Sequence, residues 1–363
     1  MDTSFDLRVL DVVVETDDAR SVVLEVPEEH AAAFDYRPGQ FLTIAVPSDQ
    51  VEEGLVARAY SLSSSPLEPG PITITVKRTE GGYASGWVHS TLRAGDVLRV
   101  LPPSGIFTPK DIDADLLLFA GGSGVTPIMS IIRTALAKGS GRIVLLYANR
   151  DERSVIFAGE LDRLAREHPE RLRVIHWLES VQGLPDAAQL RALAADHDTF
   201  DAFVCGPAPF MKAVTGVLKD LGFPRERRHQ EKFVSLGGNP FADLPVAGGT
   251  PTEVAEIPAE SAQIPAESAR ISLEIELDGT VHSFDDWRSG TTLLEHLESK
   301  GVAAPYSCRE GACSACAFRL DEGEVVMRHN EVLDDDDLAD GIRLGCQSEP
   351  APGTTVVKGS YNG

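Results

Sequence analysis

The first 110 residues alternate short apolar runs with turn signals. Hydrophobic and polar positions alternate over 21–26, 41–46, 72–77 and 97–101, and glycine and proline separate these runs. Many short strands with this two-residue period, at regular spacing, are typical of a small antiparallel barrel. We therefore predict an antiparallel six-stranded β-barrel over residues 1–110.

At residue 111 the pattern changes to an alternation of strands and helices. The run 116–120 is continuously apolar, which is typical of a parallel strand buried on both faces. A glycine-rich turn follows it, and then a helical stretch over 127–137. Strands and helices continue to alternate to about residue 221. This order predicts an α/β doubly wound domain over residues 111–235.

Residues 236–270 have the composition of a flexible linker. They are rich in proline, alanine, glycine and glutamate, and a seven-residue unit beginning Ile-Pro-Ala-Glu-Ser-Ala occurs twice, at 257–263 and 264–270. Prolines at this spacing exclude a continuous helix, so we expect an extended, mobile tether. Strand alternation resumes at residue 271, with a hairpin signal at Asp278-Gly279. We predict a third, α+β domain over 271–363.

Charge and hydropathy restrict the partners and the compartment. The chain has 363 residues, with 33 Lys and Arg against 56 Asp and Glu, a net charge of −23. This balance disfavours nucleic acid and anionic membranes as partners, since both require a basic face. No apolar run approaches the ~20 residues that span a bilayer, and the N-terminal segment lacks the features of a signal peptide. We expect a cytoplasmic monomer.

Four of the five cysteines lie near the C-terminus in a pattern with strong chemical meaning. Cys308, Cys313 and Cys316 follow the spacing C-x4-C-x2-C, and Cys346 comes after 29 further residues. This is the plant-type ferredoxin spacing, in which four thiolates bind a [2Fe–2S] cluster. A structural zinc site is the alternative, but zinc usually requires a second cysteine pair or histidine. Cys205 is distant in sequence and is excluded as a ligand.

A candidate flavin site lies in the barrel. A flavin requires a cation for its phosphates, an apolar or aromatic wall for its ring and a donor near N5. Arg58, Tyr60 and Ser61 provide one of each on a single strand, and Lys77 provides a second cation. The sequence at 81–85 opens a helix whose first N–H groups suit a phosphate. An exposed strand followed by a turn remains the alternative.

A candidate nucleotide site follows the buried strand at 116–120. The sequence Gly-Gly-Ser-Gly-Val-Thr-Pro at 121–127 is not the ordinary dinucleotide fingerprint, but its glycines allow a close approach to a pyrophosphate. Thr126 is predicted as the N-cap of the next helix and Pro127 as its first residue. A tight strand–helix turn is the alternative. Arg150 suits a 2′-phosphate and Asp151 would repel one, so we expect NADH and keep NADPH open.

Taken together, these motifs resemble the ferredoxin–NADP reductase superfamily. The matching segments are RAYS at 58–61, VKR at 76–78, GYAS at 82–85, GxGxTP at 122–127 and CGPAPFM at 205–211. The resemblance implies that FAD and the nucleotide contact Arg58, Ala59, Tyr60, Ser61, Val76, Lys77, Tyr83, Ala84, Ser85, Gly122, Ser123, Gly124, Thr126, Pro127, Arg150, Cys205, Gly206, Pro207 and Phe233. It implies that Ser61, Cys205, Glu231 and Phe233 act in hydride transfer. The residues alone favour the alternative that Cys205 is a buried thiol at a strand end.

The domain order, with a plant-type ferredoxin domain last, resembles the reductase components of bacterial oxygenases, and this resemblance implies a β-grasp fold for the last domain. The resemblance implies an NAD(P)H-dependent enzyme that passes electrons through FAD and the [2Fe–2S] cluster to a terminal oxygenase. The longer segments VKRTEGGYAS at 76–85, GGSGVTPIMSII at 121–132 and PYSCREGACSACAF at 305–318 are most similar to reductases that serve 3-ketosteroid 9α-hydroxylases, which are Rieske oxygenases. Reductases of phenylacetyl-CoA epoxidases share the architecture and are the alternative. A redox-sensing iron–sulfur binding module and a stand-alone diaphorase are the other hypotheses.

An acidic run at 334–337 precedes the fourth cysteine. It is either a solvated loop or a docking surface for a basic patch on the oxygenase.

Overall fold

The chain forms two compact units in this computed structural model. The described residues are 4–51, 54–68, 70–241, 244, 270–277 and 279–361. One unit comprises Leu7–Val46 and Arg58–Phe233, and the other comprises Met1–Asp6, Pro47–Ala57 and Val234–Gly363. The repeated unit of the predicted tether lies outside the described residues apart from Arg270. Among the described residues, no helix combines the length and the apolar character needed to span a membrane.

The N-terminal part is a six-stranded antiparallel sheet with one short helix. Its elements are β1 (Phe5–Thr16), β2 (Ala19–Glu25), β3 (Phe41–Pro47), β4 (Leu55–Ser61), β5 (Ile72–Lys77), α1 (Tyr83–Ser90) and β6 (Val97–Val100). The strand order is β4-β3-β6-β1-β2-β5. Leu62, just after β4, bridges to Ile74 of β5, which joins the two edges of the sheet. Alternating side chains such as Val22, Leu24 and Ile74 are fully buried. The prediction of a six-stranded antiparallel barrel is confirmed.

The following part is an α/β layer built on a five-stranded parallel sheet. Its elements are β7 (Leu116–Gly121), α2 (Val125–Lys138), β8 (Ile143–Asn149), α3 (Ala158–Glu167), β9 (Leu172–Leu178), α4 (Glu179–Gln182), α5 (Ala187–Ala194), β10 (Asp201–Cys205), α6 (Ala208–Asp220) and β11 (Arg228–Glu231). The strand order is β11-β10-β7-β8-β9. Leu118 packs into one hydrophobic cluster and Phe119 into another, so the sheet is buried on both faces. The doubly wound fold is confirmed.

The C-terminal part is a small α+β fold. Its elements are β12 (Ile271–Leu277), β13 (Thr280–Trp287), α7 (Leu293–Ser299), β14 (Ala317–Glu322), β15 (Val325–Met327), α8 (Asp335–Ala339), β16 (Ile342–Leu344), β17 (Ser348–Pro350) and β18 (Val356–Ser360). The main sheet has the order β13-β12-β18-β14-β16, with β12 and β18 parallel. Thr292 caps α7 through a reciprocal bond with Glu295, and Trp287, Leu293 and Phe318 fill the core. The predicted β-grasp ferredoxin domain is confirmed.

The first residues of the predicted tether are packed. Leu236 and Phe241 are buried. The N–H groups of Gly237 and Gly238 donate to the carboxylate of Glu310 at 2.6 and 2.7 Å. These contacts lie within the compact unit that contains the C-terminal fold. The boundaries of the tether stay a prediction.

Candidate functional site

Four cysteine thiols meet in the C-terminal fold. Cys308, Cys313, Cys316 and Cys346 are all buried. The thiol of Cys308 contacts those of Cys313 and Cys346, and the thiol of Cys346 also contacts that of Cys316. The structure therefore brings together the four residues that the sequence predicted as cluster ligands.

The loop around Cys308 points hydrogen-bond donors at sulfur. The N–H groups of Glu310 and Ala312 donate to the Cys308 sulfur. Hydrogen bonds from the Cys313 and Cys346 thiols, together with these N–H groups, lower the pKa of Cys308 to about 2, and the same thiol contacts raise the pKa of Cys346. Preorganised donors of this kind stabilise sulfur that carries negative charge. The site suits bound thiolates.

Arg309 holds this loop in an unusual backbone conformation. Its φ of 59° lies in the left-handed region, which side chains other than glycine seldom adopt. The guanidinium forms two hydrogen bonds with the carboxylate of Glu298, at 2.5 and 2.9 Å, and lies 3.9 Å from the centroid of the Tyr306 ring. The backbone carbonyl of Arg309 accepts a 2.9 Å hydrogen bond from the Gln347 amide. These contacts stabilise the turn that places Cys308 and Cys313 side by side.

The donor set fits the cluster that the cysteine spacing predicts. Four neighbouring thiols, with no histidine among them, match the ligand requirement of a [2Fe–2S] cluster. Four thiolates also suit a zinc ion, so the spacing of the cysteines and not their contacts favours the cluster.

The predicted flavin residues lie on β4, β5 and α1. Arg58, Ala59 and Tyr60 are partly exposed on β4, while Ser61 is buried. Burial of the Tyr60 phenol raises its pKa to about 12, so its ring stays neutral at physiological pH. Lys77 ends β5, next to the fully buried Val76. A cation, an aromatic ring and a hydroxyl thus lie on one strand, as a flavin requires.

The turn before α1 is fixed by Ser85. Its hydroxyl accepts a 3.0 Å hydrogen bond from the Thr79 N–H and lies 3.3 Å from the Gly82 carbonyl. Tyr83 opens the helix and Ala84 is buried in its first turn. This serine therefore shapes the turn that the sequence predicts to bind a phosphate, and the backbone N–H groups at the helix start provide donors that suit an anion.

The two glycine motifs predicted for the nucleotide are in backbone contact. A Cβ at Gly124 would lie 2.2 Å from the Cys205 carbonyl oxygen, and a Cβ at Gly206 would lie 2.9 Å from backbone atoms of Gly121. Gly122 has a φ of 52°. Because β7 and β10 are parallel neighbours, the segments 121–124 and 205–207 leave the sheet at the same edge. The glycines are required by this close approach.

The predicted N-cap at Thr126 is wrong. Helix α2 begins at Val125, after a 3-10 turn over Gly122–Gly124, and Gly124 occupies the cap position. The Thr126 hydroxyl donates to the Ser123 carbonyl at 3.1 Å instead of accepting an N–H. The glycines allow the chain to coil before the threonine is reached. Pro127 falls third in the helix, where its missing N–H has no intrahelical partner to lose.

Cys205 and Glu231 are opposite each other at the ends of adjacent parallel strands. They are register partners on β10 and β11. The Cys205 thiol is fully buried, and this burial raises its pKa. Part of Glu231 reaches the surface, but protein surrounds its carboxyl and raises the pKa to about 8. Phe233 follows two residues later with 52% of its surface exposed. These residues provide a thiol, a neutral carboxyl and an aromatic ring at one sheet edge.

Sequence reasoning missed Asp18, which contacts two of the predicted cofactor-binding cations. Its carboxylate lies 3.7 Å from the Lys77 ammonium and 3.1 Å from the Arg150 guanidinium, and it accepts a 2.8 Å hydrogen bond from Thr16. The Thr16 hydrogen bond and the two cations hold the pKa of Asp18 below its usual range, although burial opposes them. Asp151 instead caps the short 3-10 helix that follows it. The charge next to Arg150 is therefore Asp18.

Asn149 is a second residue that sequence reasoning missed. It ends β8, is buried, and neither atom of its amide forms a hydrogen bond of ordinary geometry within the described residues, although it lies beside the Tyr147 hydroxyl. Tyr147 donates to the Gly122 carbonyl at 3.2 Å and accepts from the Ile156 N–H. An unpaired buried amide next to the glycine loop is a feature that a polar ligand would satisfy.

Three family descriptions match successive parts of the chain. An oxidoreductase FAD-binding domain matches residues 6–108, an oxidoreductase NAD-binding domain matches 118–216, and a 2Fe-2S iron–sulfur cluster binding domain matches 275–351. FAD, a nicotinamide nucleotide and a [2Fe–2S] cluster are therefore the cofactors of this architecture. The roles of individual residues stay predictions.

Known proteins match the chain over nearly its whole length. The ferredoxin reductase component of 3-ketosteroid-9-alpha-monooxygenase from Rhodococcus rhodochrous is 50% identical over 344 residues, which covers 95% of this chain and 93% of that protein. A component of 1,2-phenylacetyl-CoA epoxidase from Escherichia coli is 31% identical, with 98% of each chain covered. The solved structure of phthalate dioxygenase reductase shares the fold, with a TM-score of 0.56, 23% identity, and coverage of 99% and 98% of the two chains. The chain belongs to the family of flavin- and iron–sulfur-containing oxygenase reductases that includes the ferredoxin reductase components of 3-ketosteroid-9-alpha-monooxygenases.

Proposed function

We propose that the chain is the NADH-dependent reductase component of a 3-ketosteroid 9α-monooxygenase, passing electrons from the nucleotide through FAD and the cluster to a terminal oxygenase. The observation that carries the steroid assignment is 50% identity to a reductase of that name, against 31% to the epoxidase component. When bound, FAD accepts a hydride and releases its electrons singly to a one-electron cluster. The three predicted domains, 1–110, 111–235 and 271–363, each hold one part of this route.

We propose distinct tasks for the residues of the flavin and nucleotide sites. Arg58 neutralises flavin phosphates, Tyr60 forms a wall for the ring and Ser61 donates near N5. The glycine segments 121–124 and 205–207 leave space for the nucleotide backbone, because each lacks the Cβ that would fill it. Cys205 and Glu231, which are paired at the ends of adjacent strands, act next to the reacting part of the nicotinamide, and Phe233 covers the flavin until the nucleotide arrives.

We propose NADH as the electron donor because Asp18 already forms an ion pair with Arg150, the cation that would bind a 2′-phosphate. Arg150 is 67% exposed at its side chain and its guanidinium faces the Asp18 carboxylate at 3.1 Å. The 2′-phosphate of NADPH would have to break this ion pair, and its negative charge would then lie beside the negative Asp18 carboxylate. The 2′-hydroxyl of NADH is uncharged and meets no such repulsion.

We propose a Rieske-type oxygenase as the partner and the C-terminal fold of a monomeric, cytoplasmic chain as its docking domain. The acidic run at 334–337 is partly structural, because Asp334 and Asp337 form the capping box of α8. The same run adds negative charge to a C-terminal region that carries four cluster ligands. Its contribution to docking is therefore a matter of electrostatic steering, which raises association rates and weakens with salt.

Reconstitution with two kinds of oxygenase tests this function. The purified holoprotein and NADH are combined with a Rieske-type 3-ketosteroid oxygenase and, separately, with a multisubunit phenylacetyl-CoA epoxidase. We expect hydroxylated steroid in the first mixture at a rate at least tenfold above epoxide formation in the second. Equal or faster turnover with the epoxidase contradicts the steroid assignment. Failure to reduce ferricyanide rapidly with NADH supports the alternative of a redox-sensing module.

A further inference from the structure

A buried tyrosine hydroxyl lies next to the cluster ligands without a partner. Tyr361 follows β18 directly, and its N–H donates to the Glu276 carbonyl at 2.9 Å. Only 7% of the residue is exposed, and its ring packs 5.8 Å from that of Phe318. The hydroxyl forms no hydrogen bond with any residue that the structure describes. Buried hydroxyls are nearly always paired, so a missing partner requires an explanation.

The hydroxyl is directed at the backbone that carries two of the four ligands. A Cβ at Gly345 would lie 2.4 Å from the Tyr361 oxygen and 3.2 Å from the Cys316 carbonyl oxygen. Gly345 immediately precedes Cys346 and donates its N–H to Cys316. A tyrosine hydroxyl ordinarily ionises only at about pH 10, so this one is protonated at neutral pH and available as a donor. Gly345 is the small residue that gives the hydroxyl room.

A second side-chain donor lies on the same side. The Gln347 amide donates to the Cys346 sulfur at 3.5 Å, and the same nitrogen donates to the Arg309 carbonyl at 2.9 Å. The N–H of Cys346 points to the Cys316 sulfur at 3.5 Å. Hydrogen-bond donors therefore lie near both Cys316 and Cys346. Among the described residues, the Tyr361 hydroxyl is a nearby donor that forms no hydrogen bond.

We propose that the Tyr361 hydroxyl donates a hydrogen bond to sulfur on the Cys316–Cys346 half of the bound [2Fe–2S] cluster and thereby raises its reduction potential. The proposal rests on the cluster content of the proposed function. Reduction adds negative charge to the cluster sulfurs, so a fixed donor stabilises the reduced form more than the oxidised form. The low dielectric of the site strengthens this difference. Tyr361 is a positioning and tuning residue of the cluster.

Tyr361→Phe tests the proposal in the full-length holoprotein. The variant removes one oxygen and keeps the ring that packs against Phe318. We expect the cluster to assemble and its midpoint potential, measured by EPR-monitored redox titration, to fall. The expected loss is a several-fold smaller equilibrium constant for one-electron reduction, where a tenfold loss corresponds to 59 mV. The flavin potential should not change.

Two controls separate tuning from packing. Tyr36→Phe removes a buried hydroxyl whose partner is Ser64 at 2.8 Å in the barrel, and it should leave the cluster potential unchanged. Resonance Raman spectra of the wild type in H₂O and D₂O report hydrogen bonds to cluster sulfur without any variant. We expect a deuterium shift in the iron–sulfur bands that is smaller in Tyr361→Phe. If that variant fails to assemble its cluster, 3-fluorotyrosine incorporated at position 361 alone keeps the hydroxyl and makes it a stronger donor. A raised cluster potential then supports the proposal, and an unchanged potential overturns it.

An intact cluster with an unchanged potential in Tyr361→Phe would overturn the proposal. A hydroxyl that is simply unpaired predicts that result, together with a higher melting temperature once the unsatisfied group is removed. Wild-type protein that binds no cluster after reconstitution is a different outcome, because it refutes the proposed function and this inference with it.

Discussion

The residues of the cluster loop lie close together in the sequence, whereas those of the proposed nucleotide site come from distant parts of the chain. Three of the four cluster ligands lie within residues 308–316, on a loop whose own N–H groups point at sulfur. The proposed nucleotide site is assembled from the ends of β7, β8 and β10, whose last residues are Gly121, Asn149 and Cys205. The first site is a local property of the sequence. The second depends on a parallel sheet that brings distant residues to one edge.

The two sites therefore respond differently to substitution. We expect the cluster site to lose function when one ligand atom changes, while the rest of the fold has its own core around Trp287 and Phe318. We expect the nucleotide site to lose function when space is filled, because backbone touches backbone at Gly124 and Gly206. Substitutions at each site test this contrast.

Loss of one cluster ligand has the largest expected effect. Cys313→Ser removes a thiolate from the four-thiol site, so we expect electron transfer to the oxygenase to fall at least 100-fold while NADH still bleaches the flavin. Stopped-flow absorbance measures the two steps separately. Cys205→Ser is the matched control for cluster content and should retain the cluster spectrum. Full oxygenase turnover by Cys313→Ser would contradict the ligand assignment.

Filling the contact between the two glycine motifs comes next. Gly124→Ala places a Cβ 2.2 Å from the Cys205 carbonyl oxygen, so the segments must separate. We expect a loss of unfolding free energy on the order of 3 kcal/mol and an equally marked loss of flavin reduction by NADH. Gly159→Ala, in helix α3, meets no atom within 4 Å and should be neutral or slightly stabilising. Denaturant titration and stopped-flow reduction check both variants; wild-type behaviour of Gly124→Ala contradicts the packing.

Neutralising Asp18 sharpens the account of nucleotide choice. Asp18→Asn releases Arg150 and Lys77 from a carboxylate, and partly exposed pairs of this kind contribute modestly. We expect KM for NADPH to fall about two- to fivefold, with KM for NADH little changed. Steady-state ferricyanide reduction with each nucleotide measures this. Asp17→Asn makes the same charge change on an exposed neighbour and is the control; equal effects of the two variants would remove Asp18 from nucleotide selection.

The last prediction concerns the pH dependence of stability. The folded-state pKa of Glu231 is about 8, above the ordinary carboxyl value of 4.5. Between these values the unfolded chain releases this proton and the folded chain retains it, so the contribution to stability is full below pH 4.5 and is lost as pH rises to 8. We expect Glu231→Gln to remove this decline, on the order of a few kcal/mol at most.

Thermal unfolding between pH 5 and 9 measures that difference, with the exposed Glu226→Gln as the control. Parallel curves for the wild type and Glu231→Gln would show that the carboxyl is not enclosed as described.

Sites whose residues are close in sequence could be predicted from the sequence. Contacts between residues that are distant in sequence could not. The cysteine spacing and the glycine motifs are readable because each ligand type and each missing Cβ has a direct chemical meaning. The roles proposed for Asp18, Asn149 and Tyr361 follow only from the groups that the fold brings near them, and nothing in their neighbouring residues marks them. The wrong prediction at Thr126 shows that a local signal can also mislead, because the preceding glycines let the helix start before the threonine.

The central claim is that electrons pass from the nucleotide through FAD to the four-thiol cluster within one chain. Anaerobic mixing of the holoprotein with NADH, followed by rapid freezing for EPR and by absorbance, tests it most directly. We predict that flavin absorbance falls first and that the signal of a reduced [2Fe–2S] cluster then appears, and that FAD-free protein gives no such signal. A cluster that NADH does not reduce in the holoprotein, or that it reduces equally well without FAD, would contradict the account.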